Sequence, residues 1–198
     1  ERLTREELLS SLFQLIVAGH DTTTSLIGNG VVALLDHPDQ LRTLQADMSK
    51  IPHAVEELVR FTAPVPHATF RVTSETVTVG GVDIPAHRQV LVCLAAANRD
   101  PSTFADADLL DIDHPRRSHL GFGHGIHFCL GAPLARLEAR VAFSALLGRE
   151  VGKLQRDRAQ ADEPRGVLFA PRGDAFVMRG DDGARIVAVG RVPPIGVD

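Results

Sequence analysis

An apolar repeat near the start of the chain predicts one long helix, and this helix constrains the fold more than any other feature. Thr4 and Glu7 have the spacing of a capping box, in which each side chain accepts a hydrogen bond from the other residue's backbone amide. The apolar residues that follow at helical spacing are Leu8, Leu12, Leu15, Ile16, Leu26, Ile27, Val31, Leu34 and Leu35. Since Pro38 interrupts the pattern, we expect a helix of about 30 residues, longer than most globular helices.

Further helices are expected on both sides of a long irregular segment. Pro38 and Pro52 each stand where a helix can begin, since the missing amide hydrogen costs nothing in the first turn. Residues 98–119 are rich in Asp, Pro and Arg and show little periodicity, which is typical of a functional loop. Helical spacing returns over residues 130–147. These patterns predict a mostly α fold.

Strand patterns between the helices add a small β-sheet, which makes the expected class α+β. The strand-like segments are Thr69 to Val72, Thr76 to Val79, Val82 to Ile84 and Gln89 to Leu94. The Gly80-Gly81 pair predicts a hairpin turn between two of them. Residues 149–198 form a divergent tail of uncertain structure that is strand-like around residues 175–189.

Charge and hydropathy argue against two classes of partner. The 21 basic and 25 acidic residues give a net charge of -4, and neither sign forms a long run that could track a phosphate backbone. The longest apolar stretches, such as residues 12–19, are far shorter than the roughly 20 residues of a membrane span. We therefore expect no nucleic acid partner and no membrane span. Cys93 and Cys129 lie in unlike contexts, so no disulfide framework is expected, and we predict a cytoplasmic protein.

The long helix contains a segment that is poorly suited to a helix. Gly19 and three consecutive threonines reduce its helix propensity by about 2 kcal/mol in total. Asp21 beside the hydroxyl of Thr22 could receive and pass protons, and Gly19 would let a ligand approach the backbone. The alternative is a kinked core helix whose polar side faces solvent.

A loop dense in glycine and histidine surrounds Cys129. Gly121, Gly123 and Gly125 permit a tight loop, and a helix follows the cysteine directly. Helix N-terminal amides favour a thiolate, which could be a nucleophile, a zinc ligand or the axial ligand of haem. A zinc site would also use the loop's histidines, His119, His124 and His127. Such a site would lack the usual paired ligand spacing.

Two neighbouring glutamates on the third predicted helix can each pair with the same arginine. Glu57 lies three residues before Arg60, and Glu56 lies four residues before it. The spacing leaves both pairings open.

Several segments resemble the cytochrome P450 haem-thiolate monooxygenases, in particular the soluble bacterial ones. The segments are Ala18 to Thr23, Glu57 to Arg60, Ala97 to Pro101 and Phe122 to Gly131, and they occur in the order found in that family. Together the resemblance covers about residues 1–148. It implies the fold of the C-terminal half of a cytochrome P450, with a long central helix, a small sheet and a cysteine-ligand loop followed by a helix.

The resemblance implies a role for each matching residue. Cys129 would be the metal ligand on the proximal side of haem b (iron protoporphyrin IX). Asp21 and Thr22 would be catalytic and deliver protons to bound oxygen. Arg71 and His127 would bind the haem propionates. The other residues implied to bind the cofactor are Ala18, Gly19, Phe122 and Gly131. Glu57, rather than Glu56, would pair with Arg60 in a structural role.

The implied activity is insertion of one oxygen atom from O2 into a hydrophobic small molecule, with electrons from NAD(P)H through a ferredoxin. Residues 1–198 would be the haem-binding part of one domain whose N-terminal half is absent. One departure is Leu109, which stands where the family often has an arginine that completes the Glu57–Arg60 network. The alternatives are a truncated, inactive remnant and a non-haem metal-binding domain that uses His124, His127 and Cys129.

Overall fold

The longest element is helix α1, Arg5–Asp36, which has 32 residues and confirms the predicted long helix. The structure, a computed structural model, describes residues 2–113, 119–149, 176–179 and 185–188. Both bonds of the capping box are present: the Thr4 amide donates to Glu7 Oε2 at 2.8 Å, and the Glu7 amide donates to Thr4 Oγ1 at 3.2 Å. The helix ends immediately before Pro38, as expected for a residue that starts the next helix.

The remaining helices of the described chain are α2 (Pro38–Ala46), α3 (Ile51–Thr62), the short α4 (Leu94–Ala97) and α5 (Ala132–Arg149). Helices α2, α3 and α5 pack against the second half of α1 around a shared apolar core. The core side chains include Leu26, Leu34, Leu41, Leu58 and Phe143. Gly30 allows close packing of α1 on α5, because a Cβ atom there would lie 2.6 Å from Phe143 Cζ.

The strands form short antiparallel pairs. Their bounds are β1 (Arg71–Val72), β2 (Val77–Val79), β3 (Val82–Ile84), β4 (Gln89–Val90), β5 (Phe176–Arg179) and β6 (Arg185–Ala188). Strand β1 pairs with β4, β2 with β3 through the predicted Gly80-Gly81 turn, and β5 with β6. The last pair lies within the tail segment predicted to be strand-like. The rest of residues 150–198 lies outside the described residues.

The prediction of one strand from Gln89 to Leu94 is wrong at its end. The strand stops at Val90, and α4 starts at Leu94. The three alanines after Leu94 favour a helix, and the amide of Asn98 donates to the Leu94 carbonyl at 2.9 Å. This turn brings residues 97–100 into the interior, where Asn98 is fully buried.

The first half of α1 is exposed along its whole circumference. All of residues 2–21 are exposed, including large apolar side chains such as Leu12, Phe13 and Ile16. Similar exposed apolar residues lie beside Cys129 and on α5, namely Ile126, Phe128, Leu130, Leu134, Leu137 and Val141. We call these two groups together the open apolar surface; large exposed apolar side chains in such number are typical of a binding surface. Among the described helices, none is long and apolar enough to cross a membrane.

Candidate functional site

A buried ion pair on α3 shows which glutamate binds Arg60. Arg60 Nε donates to Glu57 Oε2 at 2.8 Å, and Nη2 donates to Glu57 Oε1 at 2.8 Å. Both side chains are about 1% exposed. The bidentate geometry is the strong form of this interaction and suits a site without solvent. The pairing implied by the resemblance is therefore confirmed.

The other guanidinium hydrogens of Arg60 bind backbone carbonyls in the irregular segment. Nη1 donates to the carbonyl oxygens of Asn98 at 3.0 Å and Ala107 at 2.7 Å, and Nη2 donates to that of Leu109 at 2.8 Å. All five N–H groups of the guanidinium are thus used. Leu109 joins the network through its backbone, so the network is complete without an arginine at that position.

Asn98 connects this network to the cysteine-containing loop. Its backbone carbonyl accepts from Arg60, while its side-chain Oδ1 accepts from the Leu120 amide at 2.7 Å. A polar side chain that is 0% exposed holds its partner firmly, because a broken bond would leave both groups unsatisfied. The loop that contains Cys129 is therefore fixed at its start by the core of the protein.

The loop before Cys129 depends on two glycines with left-handed backbone. Gly123 has φ 75° and Gly125 has φ 69°, values that glycine adopts without strain. A 3₁₀ turn, Gly125–His127, follows, and the amide of Phe128 donates to the Gly125 carbonyl at 3.0 Å. The amide of Cys129 then donates to the Phe122 carbonyl at 2.8 Å. These hydrogen bonds fix the backbone of Cys129 relative to the rest of the loop.

Cys129 is exposed and lies just before the N-terminus of α5. Its carbonyl accepts from the Ala132 amide at 3.2 Å, so the cysteine is joined to the first turn of the helix. Its neighbours Ile126 and Leu130 are 98% and 92% exposed, so the sulfur belongs to the open apolar surface.

Glu56 is a residue of this region that the sequence reasoning left without a role. It accepts from Arg136 Nε at 2.6 Å and Nη2 at 2.9 Å, and its Oε2 lies 3.1 Å from His119 Nε2. Burial raises the pKa of the Glu56 carboxyl, but the hydrogen bonds from His119 and Arg136 and the charge of Arg136 outweigh it and lower the pKa to about 2. No sequence signal pointed to this cluster, because its partners are 63 and 80 residues away.

The lowered pKa of Glu56 predicts how acid affects stability. A carboxyl whose pKa falls from 4.5 to about 2 on folding contributes stability that is complete above pH 4.5 and is lost as the pH falls through about 2. Because its side chain is 28% exposed, we expect Glu56→Gln to reduce the unfolding free energy by only about 1–2 kcal/mol at neutral pH. Urea unfolding of both proteins across this pH range measures the difference. If the difference in unfolding free energy between the two proteins were the same at every pH, the lowered pKa of Glu56 would be contradicted.

Close packing at Gly121 gives a second prediction. A Cβ atom at this position would overlap Val59 Cγ1 and lie 3.1 Å from His119 Nδ1. We expect Gly121→Ala to destabilise the protein by about 1–3 kcal/mol, since α3 and the loop must separate. Gly28→Ala is the matched control, because nothing lies within 4 Å of a Cβ there and alanine favours the helix. In denaturant unfolding, Gly28→Ala should have a higher free energy of unfolding than the parent, and Gly121→Ala a lower one. The reverse order would show that the loop moves to accommodate the added methyl group.

The acid and threonine segment lies within α1, which stays helical throughout. Ala18, Gly19 and Asp21 are exposed, and Thr22 is half-buried. Thr22 Oγ1 donates to the Ala18 carbonyl at 2.6 Å, so its hydroxyl is satisfied within the helix. Nothing lies within 4 Å of a Cβ atom at Gly19, so this face of the helix offers open space to a ligand.

The two residues predicted to bind propionates are both exposed. Arg71, at the start of β1, donates from Nη1 to the carbonyl oxygens of Thr69 and Phe70, each at 3.2 Å, and to the Thr69 hydroxyl. His127 ends the 3₁₀ turn of the cysteine loop. Both are accessible to an anionic group, and their roles stay predictions.

The described residues do not support a metal site built from the loop's histidines. Within residues 2–113 and 119–149, no three His, Cys, Asp or Glu side chains lie close enough to hold one metal ion. His119 instead binds Glu56. An exposed thiol among apolar neighbours suits an iron that brings its own ring nitrogens and needs a single protein sulfur. The residues present therefore fit a haem group.

Comparison with known proteins finds one family. The sequence pattern described as Cytochrome P450 matches residues 1–176. The chain is 56% identical over 148 residues to the cytochrome P450 monooxygenase PikC of Streptomyces venezuelae, a match that covers 75% of this chain and 36% of the relative. It is 50% identical over 148 residues to the 6-deoxyerythronolide B hydroxylase of Saccharopolyspora erythraea, with 75% of this chain and 36% of the relative covered.

Solved structures give the same result. The ligand-free structure of the P450 monooxygenase TamI matches with a TM-score of 0.72 and 50% identity, over 75% of this chain and 36% of that one. The mostly helical fold with small antiparallel sheets is thus shared with these structures. The chain spans little more than a third of the length of the relatives it matches.

Proposed function

The chain belongs to the cytochrome P450 family, and from this premise we propose that it forms the haem-binding part of a monooxygenase. The proposed reaction is insertion of one oxygen atom from O2 into a hydrophobic small molecule. The observation that carries the proposal is the exposed sulfur of Cys129, which lies at the start of α5 among apolar side chains, with no metal-binding cluster in the described part of the chain. Residues 1–198 would be the C-terminal haem-binding part of one domain, and residues 149–198 would form a divergent tail within it.

The proposed cofactor is haem b, with Cys129 as its iron ligand. When bound, haem iron with a thiolate ligand would supply the chemistry that activates O2, since the sulfur donates electron density that favours O–O cleavage. Phe122 fixes the ligand by accepting from the Cys129 amide at 2.8 Å. Gly131 leaves the space next to the sulfur open. A Cβ atom at this position would fill part of that space, in van der Waals contact with Cys129 Sγ at 3.8 Å.

The haem propionates would be bound by Arg71 and His127, which lie on different segments of the chain. Arg71 is exposed and can exchange its local bonds to Thr69 and Phe70 for a carboxylate, which is the stronger partner for a guanidinium. His127 would bind the other carboxylate from the cysteine loop. Both assignments depend on exposure and charge.

The proton-handling residues would be Asp21 and Thr22. The Thr22 hydroxyl donates to Ala18 and keeps its lone pairs free to accept, so it can hold a proton donor in place. Asp21 is exposed one residue earlier and can exchange protons with solvent. Ala18 and Gly19 would leave room for the cofactor and for O2, in agreement with the open space at Gly19.

The proposed substrate is a hydrophobic small molecule, and the proposed source of electrons is NAD(P)H. One relative is named as the hydroxylase of 6-deoxyerythronolide B, and another as a vitamin D(3) 25-hydroxylase, which supports a hydrophobic small molecule as substrate. The open apolar surface agrees with such a substrate. Electrons would come from NAD(P)H through a ferredoxin-type donor in the cytoplasm.

Haem titration of the purified chain tests the proposal directly. Once haem is bound, we expect reduction and addition of carbon monoxide to give the absorption band of a thiolate-ligated complex. A matched titration with Zn²⁺ in place of haem tests the metal-binding alternative. Tight zinc binding without haem binding would refute the proposal and favour a non-haem metal domain.

A further inference from the structure

Glu56 joins three elements at the back of the cysteine loop. The carboxylate lies on α3, Arg136 lies on α5, and His119 lies at the start of the loop. Arg136 binds both carboxylate oxygens, at 2.6 and 2.9 Å, and His119 Nε2 lies 3.1 Å from Oε2. The neighbouring Glu57 binds Arg60 instead. The two glutamates therefore have different partners.

The hydrogen bonds determine the protonation pattern of His119. The Gly121 amide, which can only donate, lies 3.1 Å from His119 Nδ1. Nδ1 must therefore accept, and the ring proton lies on Nε2, from which it is donated to Glu56. Only an acceptor at position 56 fits this arrangement.

Both partners of Glu56 lie beside the ring of Phe122. The Arg136 guanidinium lies 4.4 Å from the centroid of the Phe122 ring, and the His119 ring lies 5.8 Å from it. A guanidinium over an aromatic face is attractive, and its planar shape fits the ring. Phe122 is in turn the residue whose carbonyl accepts from the Cys129 amide at 2.8 Å. A short chain of contacts thus leads from Glu56 to the cysteine.

We infer that Glu56 is a positioning residue for the sulfur of Cys129, acting through Arg136 and His119 on Phe122. The inference rests on the proposed function only where it concerns haem; the contacts themselves are properties of the chain.

Amide hydrogen exchange in the full chain tests the inference without any cofactor. Glu56→Gln keeps the size of the side chain, but its amide nitrogen must face either Arg136 or His119, where only an acceptor fits. We expect the Cys129 amide to exchange roughly 2- to 10-fold faster, the effect of weakening one hydrogen bond, while amides in the exposed first half of α1, which exchange by local opening, keep their rates. Asp113→Asn is the matched control, since it removes a carboxylate from an exposed pair with Lys50 and should leave the Cys129 amide unchanged.

A second variant separates positioning from charge alone. Arg136→Lys keeps the charge and loses both the bidentate grip and the stacking on Phe122, so it should accelerate exchange at Cys129 as Glu56→Gln does. Parent-like exchange in either variant would overturn the inference, and so would an equal acceleration at all amides.

Haem affinity gives the readout that depends on the proposed function. If the parent binds haem, Glu56→Gln should lower its affinity by about 10-fold, the smaller effect typical of residues that orient a metal ligand. Unchanged affinity would overturn the role of Glu56 toward the cofactor. If the parent does not bind haem, the proposed function fails, and the exchange rates alone decide the inference.

Discussion

Replacing Arg60 with methionine should lower the unfolding free energy by about 3–5 kcal/mol, the largest stability loss that we expect from any single change in the chain. The substitution leaves the Glu57 carboxylate about 1% exposed and without its cation. It also leaves the carbonyls of Asn98, Ala107 and Leu109 without their donor. Such a loss is a large fraction of the total stability of an ordinary domain, about 5–15 kcal/mol. Urea unfolding followed by circular dichroism measures it.

Two further variants test whether the loss of stability comes from breaking the buried ion pair. Lys50→Met breaks the exposed pair with Asp113, whose bond length is a similar 2.7 Å, and should cost far less unfolding free energy than Arg60→Met. The double variant Glu57→Leu with Arg60→Met removes both buried charges, so it should be more stable than Arg60→Met alone. A cost below about 1 kcal/mol for Arg60→Met would show that water or another cation replaces the guanidinium.

The elements that could be predicted from the sequence are those determined by local chemistry. The capping box at Thr4 and the proline at position 38 fix the two ends of α1, because both act within one helical turn. The Gly80-Gly81 turn and the glycine-rich loop are also local, since positive φ values at Gly123 and Gly125 require glycine.

The parts that could not be predicted depend on contacts between distant residues. Leu109 binds Arg60 through its carbonyl, a group that every residue has, so the side chain gives no hint of the contact. Glu56 differs from Glu57 only in the face of α3 on which it lies, and its partners come from the loop and from α5. The end of β4 also depends on such context, because Ala95 donates to the carbonyl of Pro66 and starts a helical turn there.

The residues that hold the cysteine loop in place are buried or half-buried, whereas Cys129 itself is exposed. Asn98, Arg60 and Glu57 anchor the start of the loop in a core without solvent, while Glu56 and Arg136 support it from the side. The sulfur itself is exposed among apolar side chains. A rigid support beneath an exposed ligand suits cofactor binding, since the ligand needs no rearrangement to reach the iron.

Cys129→Ser should abolish the absorption band of the thiolate-ligated carbon monoxide complex in the haem-loaded, reduced protein. Serine has nearly the same shape and keeps the backbone bond from its amide to the Phe122 carbonyl, so the loop should keep its structure. A serine hydroxyl would be a much poorer ligand, so the iron would lose the electron density that a cysteine thiolate donates.

Cys93→Ser is the matched control for this prediction, because Cys93 is half-buried at the start of α4 and its backbone pairs with that of His67. It should leave the band in place, while circular dichroism shows that both variants keep their helices. If the Cys129→Ser protein kept the band, another residue would have to bind the iron. Among the described residues, His127 in the adjacent 3₁₀ turn would be the first alternative, but imidazole is neutral and gives the iron less electron density than a thiolate does. The same substitution therefore tests both the identity of the ligand and the charge on which the proposed oxygen chemistry depends.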